Sequence, residues 1–258
     1  MAIKTKINHS VTDIPDLEST IFQVVSSFES HGKIISQNRR NTIKEYWLAD
    51  KGKSIVIKQY RNKGLVKKAM SLFRSSKARK AFDNGLLLTR HGIRTPQPVA
   101  YAEDWANGCL KASYYICRYT EDTNIIPLIE RSQPEKKAIK AFAQLLAQLH
   151  DNGIVHHDLN LSNVLYHTEK DEMILSVIDI NRTSCRADRK PETREKEYID
   201  DLLRFTGRLD IFVSVAYEYA RLRNIDAEPF VRRMTVKKIK HDANWTRRKL
   251  IHSFFNKK

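Results

Sequence analysis

Hydrophobic positions change their spacing several times along the chain, and each change marks an element. In "DLESTIFQVVSSFESHG", Leu17, Ile21, Val24, Val25 and Phe28 fall on one helical face, and Gly32 is the expected stop. The texture then becomes β-branched and aromatic. "KIIS", "TIKEYWLA" and "SIVIKQY" are separated by the turn-rich "QNRRN" and "DKGK", which predicts three antiparallel strands. "KARKAFDNGLLLTRHG" predicts a helix ending at Gly92, and "IRTPQPVAYAEDW" and "KASYYICRYT" predict two more strands. Pro96 and Pro98 mark the entry to the first of these and argue against a central strand there. Ser132 and Glu135 form a capping-box pattern ahead of a helix that buries Ile139, Phe142, Leu145, Leu146 and Leu149 and stops at Asn152-Gly153. The strand "MILSVIDINR" follows, and from about Glu192 the pattern is helical. The order predicts an α+β fold: a mostly β N-terminal part with one main helix, then a mostly helical C-terminal part. The join falls near "CRYTEDTN", giving domains 1–118 and 119–258.

Composition narrows the classes. With 258 residues and 41% hydrophobic content the chain can bury a sizeable core. A net charge of +16 points to an anionic partner such as nucleic acid, nucleotide, acidic substrate or anionic lipid. Cys109, Cys117 and Cys185 show no metal-ligand spacing and suit reduced thiols. The N-terminal sequence lacks the apolar core of a signal peptide, and no apolar run reaches the ~20 residues of a membrane span. The expectation is a soluble or peripheral protein inside the cell.

The chemistry concentrates in "IVHHDLNLSNVLYH", residues 154–167. Apolar residues pin both ends of this loop, so it holds Asp158 and Asn163 at a fixed separation. A carboxylate accepts a proton, and a carboxamide oxygen ligates a hard cation. Sixteen residues after Asn163, the run Val177-Ile178 delivers Asp179. Such a set suits Mg²⁺, which takes one or two carboxylates with phosphate oxygens and water. Adjacent residues in extended chain point opposite ways, which argues against His156 and His157 both ligating one ion. His156 reads as a semi-buried prop of the loop and His157 as an exposed neighbour.

With Lys58 closing "SIVIK", the order "K…HHDLNLSN…IDIN" resembles the protein-kinase-like fold. "NRRNTIKEYW", "FRSSKARKAF" and "GIRTPQPVAY" sharpen this: residues 32–185 look like the lipopolysaccharide core kinases, the 3-deoxy-manno-octulosonic acid (Kdo) and heptose kinases. The resemblance implies two lobes, with a small antiparallel-sheet N-lobe and a larger helical C-lobe. It implies transfer of the ATP γ-phosphate to a sugar hydroxyl of a lipid-linked acceptor, the lipid A–core, at the cytoplasmic face of the inner membrane. Carried over, Lys58 contacts phosphates, His156 holds the loop, Asp158 is the catalytic base, and Asn163 and Asp179 bind Mg²⁺. Asn160, where protein kinases often carry lysine, becomes a second contact to phosphate or metal. The chain has 8 glycines and no Gly-rich loop, so Arg39, Arg40 and Asn41 in "SQNRRNT" are the candidates to cover the phosphates. The acidic partner of Lys58 stays open: in "KARKAFDNGLLL" the only acid is Asp83.

Two basic stretches flank these motifs. One runs from Lys58 to Lys80 with Leu65, Met70, Leu72 and Phe73 interleaved, and suits an anionic acceptor. The other is the C-terminal tail, where Lys237, Lys238, Lys240, Arg247, Arg248, Lys249, Lys257 and Lys258 mix with Trp245, Ile251, Phe254 and Phe255. That mixture suits an anionic membrane surface, RNA, or a solvated helix face whose aromatics pack on the domain. Two alternatives to a sugar kinase follow: a RIO-type atypical kinase or ATPase on ribosomal RNA, and a pseudokinase scaffold.

Overall fold

The computed structural model describes residues 2–48, 52–61, 75–186 and 188–255. Most of the first basic stretch, residues 62–74, lies outside the described residues, as do Lys257 and Lys258. The chain forms two compact units: Met1–Glu121 with Val177–Thr183, and Asp122–Ser176 with Ser184–Lys258.

The first unit is built on a six-stranded antiparallel sheet in the order β1-β5-β6-β4-β3-β2. The strands are β1 (Ala2–Ile7), β2 (Lys33–Gln37), β3 (Asn41–Leu48), β4 (Lys53–Arg61), β5 (Pro98–Ala106) and β6 (Cys109–Arg118). Helix α1 (Leu17–Ser26) lays Leu17, Ile21, Val24 and Val25 on Ile55, Ile57, Ala100 and Ile116. It ends before Phe28, which is buried from the loop that follows. Lys44 closes that loop: its Nζ donates to the carbonyls of Phe28 (2.5 Å) and His31 (2.9 Å). A buried cation is tolerable there because main-chain acceptors replace its water.

Helix α2 (Lys77–Arg90) begins at Ser76, whose side chain accepts the Arg79 N–H at 3.1 Å. Gly85 sets its closeness to the sheet, since a Cβ there would meet Pro98 Cγ at 2.5 Å. Among the described residues, α1 and α2 stand where the hydrophobic spacing predicts helices.

Strand β5 corrects the expectation from the prolines. It lies between β1 and β6, in the interior of the sheet. Pro98 is its first residue, at a register shift between Pro98 and Ala100, so the missing N–H falls outside the regular ladder. Its carbonyl is used, accepting from Asn8 Nδ2 at 2.8 Å. Strand β1, absent from the sequence reading, is what makes β5 internal.

The second unit contains β7 (Thr123–Asn124), the short α3 (Ile126–Ile129), α4 (Lys136–Asp151), β8 (Ile154–Val155), β9 (Val164–Glu169), β10 (Glu172–Val177, whose last residue belongs to the first unit) and β11 (Ser184–Cys185). Helices α5 (Pro191–Leu202), α6 (Leu209–Leu222) and α7 (Ala227–Phe255) complete it. The capping box does not form. Helix α4 starts at Lys136, and Glu135 takes Arg131 at 2.5 Å instead of reaching back to Ser132. Phe142, Leu145, Leu146 and Leu149 are buried as expected, while Ile139 is half-buried.

Candidate functional site

In the first unit, strand alternation sends Ile55, Ile57 and Gln59 to the α1 side and Lys58 to the other. Lys58 Nζ meets Asp179 Oδ1 at 2.8 Å and lies 5.3 Å from the Tyr60 ring centre. The open question of the lysine's partner is thereby answered. It is Asp179, while Asp83 pairs with Arg79 at 3.6 Å on an exposed face of α2. Asp179 follows β10 in a left-handed conformation, φ 58°, which aspartate tolerates better than most residues. Its turn is fastened from both sides. Thr95 Oγ1 donates to the Val177 carbonyl at 2.8 Å, and Asn84 Nδ2 donates to the carbonyls of Ile180 (2.7 Å) and Thr183 (2.9 Å). Burial pushes the Cys117 thiol up to about 12 against the pull of the nearby Lys58 charge, so it is a neutral filler. Burial also raises the Tyr60 hydroxyl well above its ordinary value, and the charge of Asp179 adds to this.

Arg39, Arg40 and Asn41 occupy the β2–β3 turn. Asn41 lies opposite Tyr60, two positions from Lys58 on β4. The amides of Arg40 and Asn41 are already taken by Asn38 Oδ1, both at 2.9 Å, in an Asx-type turn. This hairpin therefore offers exposed guanidinium groups rather than a cradle of N–H groups.

In the second unit, α4 ends at Gly153, φ 69°, and β8 pairs with β11. His156 is fully buried, and its N–H donates to Asp201 Oδ2 at 2.9 Å. The loop then folds around one carbonyl. Asp158 O accepts from Asn160 N (2.9 Å), Asn160 Nδ2 (3.3 Å) and Asn163 Nδ2 (2.8 Å). Asn160 Oδ1 caps the 3₁₀ turn Leu161–Asn163 by accepting from Ser162 N at 3.0 Å and from Ser162 Oγ. Asn160 is thus a builder of the loop, and its oxygen is committed. Asn163 commits its N–H groups inward, which leaves its carboxamide oxygen as the atom to offer a cation. Leu159, Leu161 and Val164 anchor the loop in the core.

His157 differs from its expectation as an exposed neighbour. It is half-buried at φ 62°, with Nε2 2.7 Å from Ser184 Oγ on β11. Burial lowers its pKa, opposed by the charge of Asp201.

Two residues that hold the loop escaped the sequence reading. Asn124 Nδ2 donates to the carbonyls of Leu161 (3.2 Å), Ser162 (3.0 Å) and Val164 (3.2 Å). Asp201 is buried beneath His156, with His150 Nε2 at 3.6 Å. Burial raises the Asp201 pKa, but His150 and the His156 N–H outweigh this and hold it low. A signal existed: in "YIDDLL", Asp201 falls on the buried stripe with Tyr198, Ile199 and Leu202, where a carboxylate requires a partner.

Among the described residues no group of three or more His, Cys, Asp or Glu side chains could hold a metal. Asp179 in the first unit offers a carboxylate oxygen, and Asn163 in the second a carboxamide oxygen, each a donor type that suits a hard cation.

Comparison with known proteins agrees with these motifs. Residues 29–214 match the model of the lipopolysaccharide kinase (Kdo/WaaP) family. Lipopolysaccharide core heptose(I) kinase WaaP of Pseudomonas aeruginosa is 26% identical over 118 residues, 41% of this chain and 44% of that protein. The chain thus spans less than half the length of this curated relative. The structure of WaaP in complex with acyl carrier protein superposes with a TM-score of 0.62 at 20% identity, covering 92% of this chain and 98% of that one, and shows the shared fold. A Rio2 kinase–ADP/Mg²⁺–phosphoaspartate complex from Chaetomium thermophilum reaches a TM-score of 0.48 at 16% identity, covering 85% of this chain and 65% of that one. By the extent of the family match, the chain belongs to the lipopolysaccharide kinase (Kdo/WaaP) family.

Proposed function

We propose that this protein is an ATP-dependent phosphotransferase that phosphorylates a sugar hydroxyl, on Kdo or heptose, of a lipid-linked lipopolysaccharide core at the cytoplasmic membrane face. The observation that carries the reading is the Lys58–Asp179 pair at 2.8 Å. A buried-side lysine held by a carboxylate on a rigid turn suits a phosphate contact beside a metal ligand. Lys58 takes a phosphate oxygen, and the exposed Arg39 and Arg40 add positive charge over the nucleotide. Asp179 and the Asn163 oxygen serve Mg²⁺, which supplies neutralisation of the charge on the transferring phosphoryl group. Asp158 orients the acceptor hydroxyl and takes its proton. His156 and Asn160 position Asp158 through the main chain, and Asn41 supports the hairpin that carries the arginines. The first unit, with the 1–118 segment at its centre, serves the nucleotide, and the second serves the acceptor. The positive surface suits the anionic inner membrane in which such an acceptor sits.

The test is mass transfer from ATP to a panel of lipid A–Kdo acceptors, heptose-bearing cores, free sugars and proteins. Transfer to a core acceptor is expected, and Asp158→Ala should abolish it while an ATP/Mg²⁺ thermal shift persists. Transfer to protein alone would point to a protein kinase. No thermal shift in the wild type would point to a scaffold.

A further inference from the structure

Helix α7 has two apolar sides. Its first half packs through Phe230, Met234 and Lys238, all buried. Phe230 lies 5.9 Å from Tyr219, and Lys238 Nζ donates to the Phe205 carbonyl at 2.7 Å. A helix packed on one side ordinarily turns polar residues outward. Here, at 100° per residue, the side opposite Met234 and Lys238 carries Val236, Ile239, Ala243, Leu250 and Phe254. Val236, Ile239, Leu250 and Phe254 are 50, 52, 55 and 76% exposed. From Ala243 to Phe254 every described side chain is exposed. Lys240 and Arg247 interrupt the stripe, and Lys237 borders it. The one acid in this part of the helix, Asp242, is held by Lys238 at 2.7 Å.

We propose that the outward face of α7, from Val236 to Phe254, docks in the plane of an anionic phospholipid surface, at headgroup depth. This deepens the reading above, because it names the surface that brings the enzyme to a lipid-linked acceptor. The stripe runs about 27 Å along the helix axis. Its aliphatic residues enter the headgroup–acyl boundary while Lys240 and Arg247 lift their charges to the phosphates. No described helix is long and apolar enough to cross a membrane, so an in-plane pose is the one this helix supports. The cations also decide against a second copy, since each chain would bring the same positive stripe to the contact. RNA is disfavoured because four of the five apolar residues of the stripe, Val236, Ile239, Ala243 and Leu250, have no ring face on which a base stacks, and Phe254 alone has one.

The test is co-sedimentation of the full chain with vesicles of phosphatidylcholine, alone or with roughly one third phosphatidylglycerol, where each basic residue is expected to be worth about fivefold in partition. Binding to the anionic vesicles only, weakened by salt, is expected. Leu250→Ser with Phe254→Ser should cut partition at least about tenfold. Lys240→Gln with Arg247→Gln should cut it about 25-fold. Unchanged melting temperatures would show that both variants fold. Either double variant binding like the wild type would overturn the proposal. So would a wild type that ignores anionic vesicles but shifts structured RNA, or a dimer that the Leu250/Phe254 variant dissolves. The catalytic reading is tested apart: the variants should phosphorylate a delipidated core normally and lose rate only on a vesicle-embedded acceptor. Absence of any transfer by the wild type would sink the catalytic reading and leave the vesicle result standing.

Discussion

The two units hold their candidate groups in different ways. In the first, Lys58 and Asp179 hold each other, side chain to side chain, at 2.8 Å. In the second, the loop is held through its main chain. The Asp158 carbonyl takes three N–H groups, the His156 N–H goes to Asp201, and Asn124 ties three carbonyls. The difference has a physical consequence. A partly exposed charge pair can exchange partners, so a phosphate and a cation can replace each charge with little rearrangement. A loop built on main-chain bonds fixes one geometry and keeps it with or without ligand. Substitutions should therefore separate binding from chemistry along the same division.

The sharpest break is between Lys58 and Asp158. Asp158→Ala removes a carboxylate whose main-chain carbonyl, the hub of the loop, stays in place. Phosphate transfer should fall about a thousandfold, with the ATP/Mg²⁺ thermal shift retained. Lys58→Met should reduce both, because it removes the proposed phosphate contact and leaves Asp179 without its counter-charge. If both variants lose nucleotide binding equally, the division between the units fails.

Asp201 tests the main-chain half more deeply. Asp201→Ala strips the buried His156 N–H of its acceptor and leaves His150 without its carboxylate. Breaking a buried, hydrogen-bonded charge of this kind costs about 3 kcal/mol. Chemical denaturation should show a loss of that order, and turnover should fall with the nucleotide site intact. A variant of wild-type stability would show that the loop is held by its apolar anchors alone.

What the sequence disclosed follows the same division. The loop was legible as a candidate because its polar residues are local: Asp158, Asn160 and Asn163 lie close together in sequence between apolar anchors. The Lys58–Asp179 contact was not, because a charge pair between distant segments leaves no periodic trace, and Asp83 on α2 was the nearer candidate. Strand β1 was missed although Ile3, Thr5 and Ile7 alternate with Lys4 and Lys6. Its partner, β5, lies far along the chain, so nothing local marks the pairing. The capping box failed because Glu135 had a better partner in Arg131. The tail's mixture of basic and apolar residues is plain in the sequence, yet only the packed side of α7 shows which face is left over.

A smaller effect belongs to His150, which stacks on Tyr198 at 4.4 Å and bonds Tyr219 at 2.8 Å. Burial lowers its pKa below the ordinary 6.5, opposed by Asp201. The unfolded chain then takes up a proton below about pH 6.5 while the folded protein does not, so stability is full above that value. It should fall with acid at up to about 1.4 kcal/mol per pH unit, until the folded-state value is reached. The half-buried His157 acts in the same direction. Urea titrations between pH 7 and 5.5 should show the slope, and His150→Asn should flatten it to the part due to His157. An unchanged slope would remove His150 as its cause.

The smallest expected effect discriminates most sharply within the first unit. If Asp83 were the hidden partner of Lys58, Asp83→Ala would damage phosphate transfer severely. The structure instead shows it 3.6 Å from Arg79, with both side chains about half exposed, a pair worth well under 1 kcal/mol. Asp83→Ala should leave transfer within about twofold and stability within about 0.5 kcal/mol. Its neighbour Asn84 should behave differently. Asn84→Ala removes two donors from the carbonyls of Ile180 and Thr183, and so loosens the turn that presents Asp179. A loss of about 1 kcal/mol per bond is expected, with a weaker Mg²⁺-dependent thermal shift and an unchanged response to nucleotide alone. Because the two residues are adjacent on one helix, a general disturbance of α2 would affect both variants alike. Only a contact through Asn84 would separate them, so equal losses in the two variants would return the role of holding the Lys58–Asp179 pair to the helix as a whole.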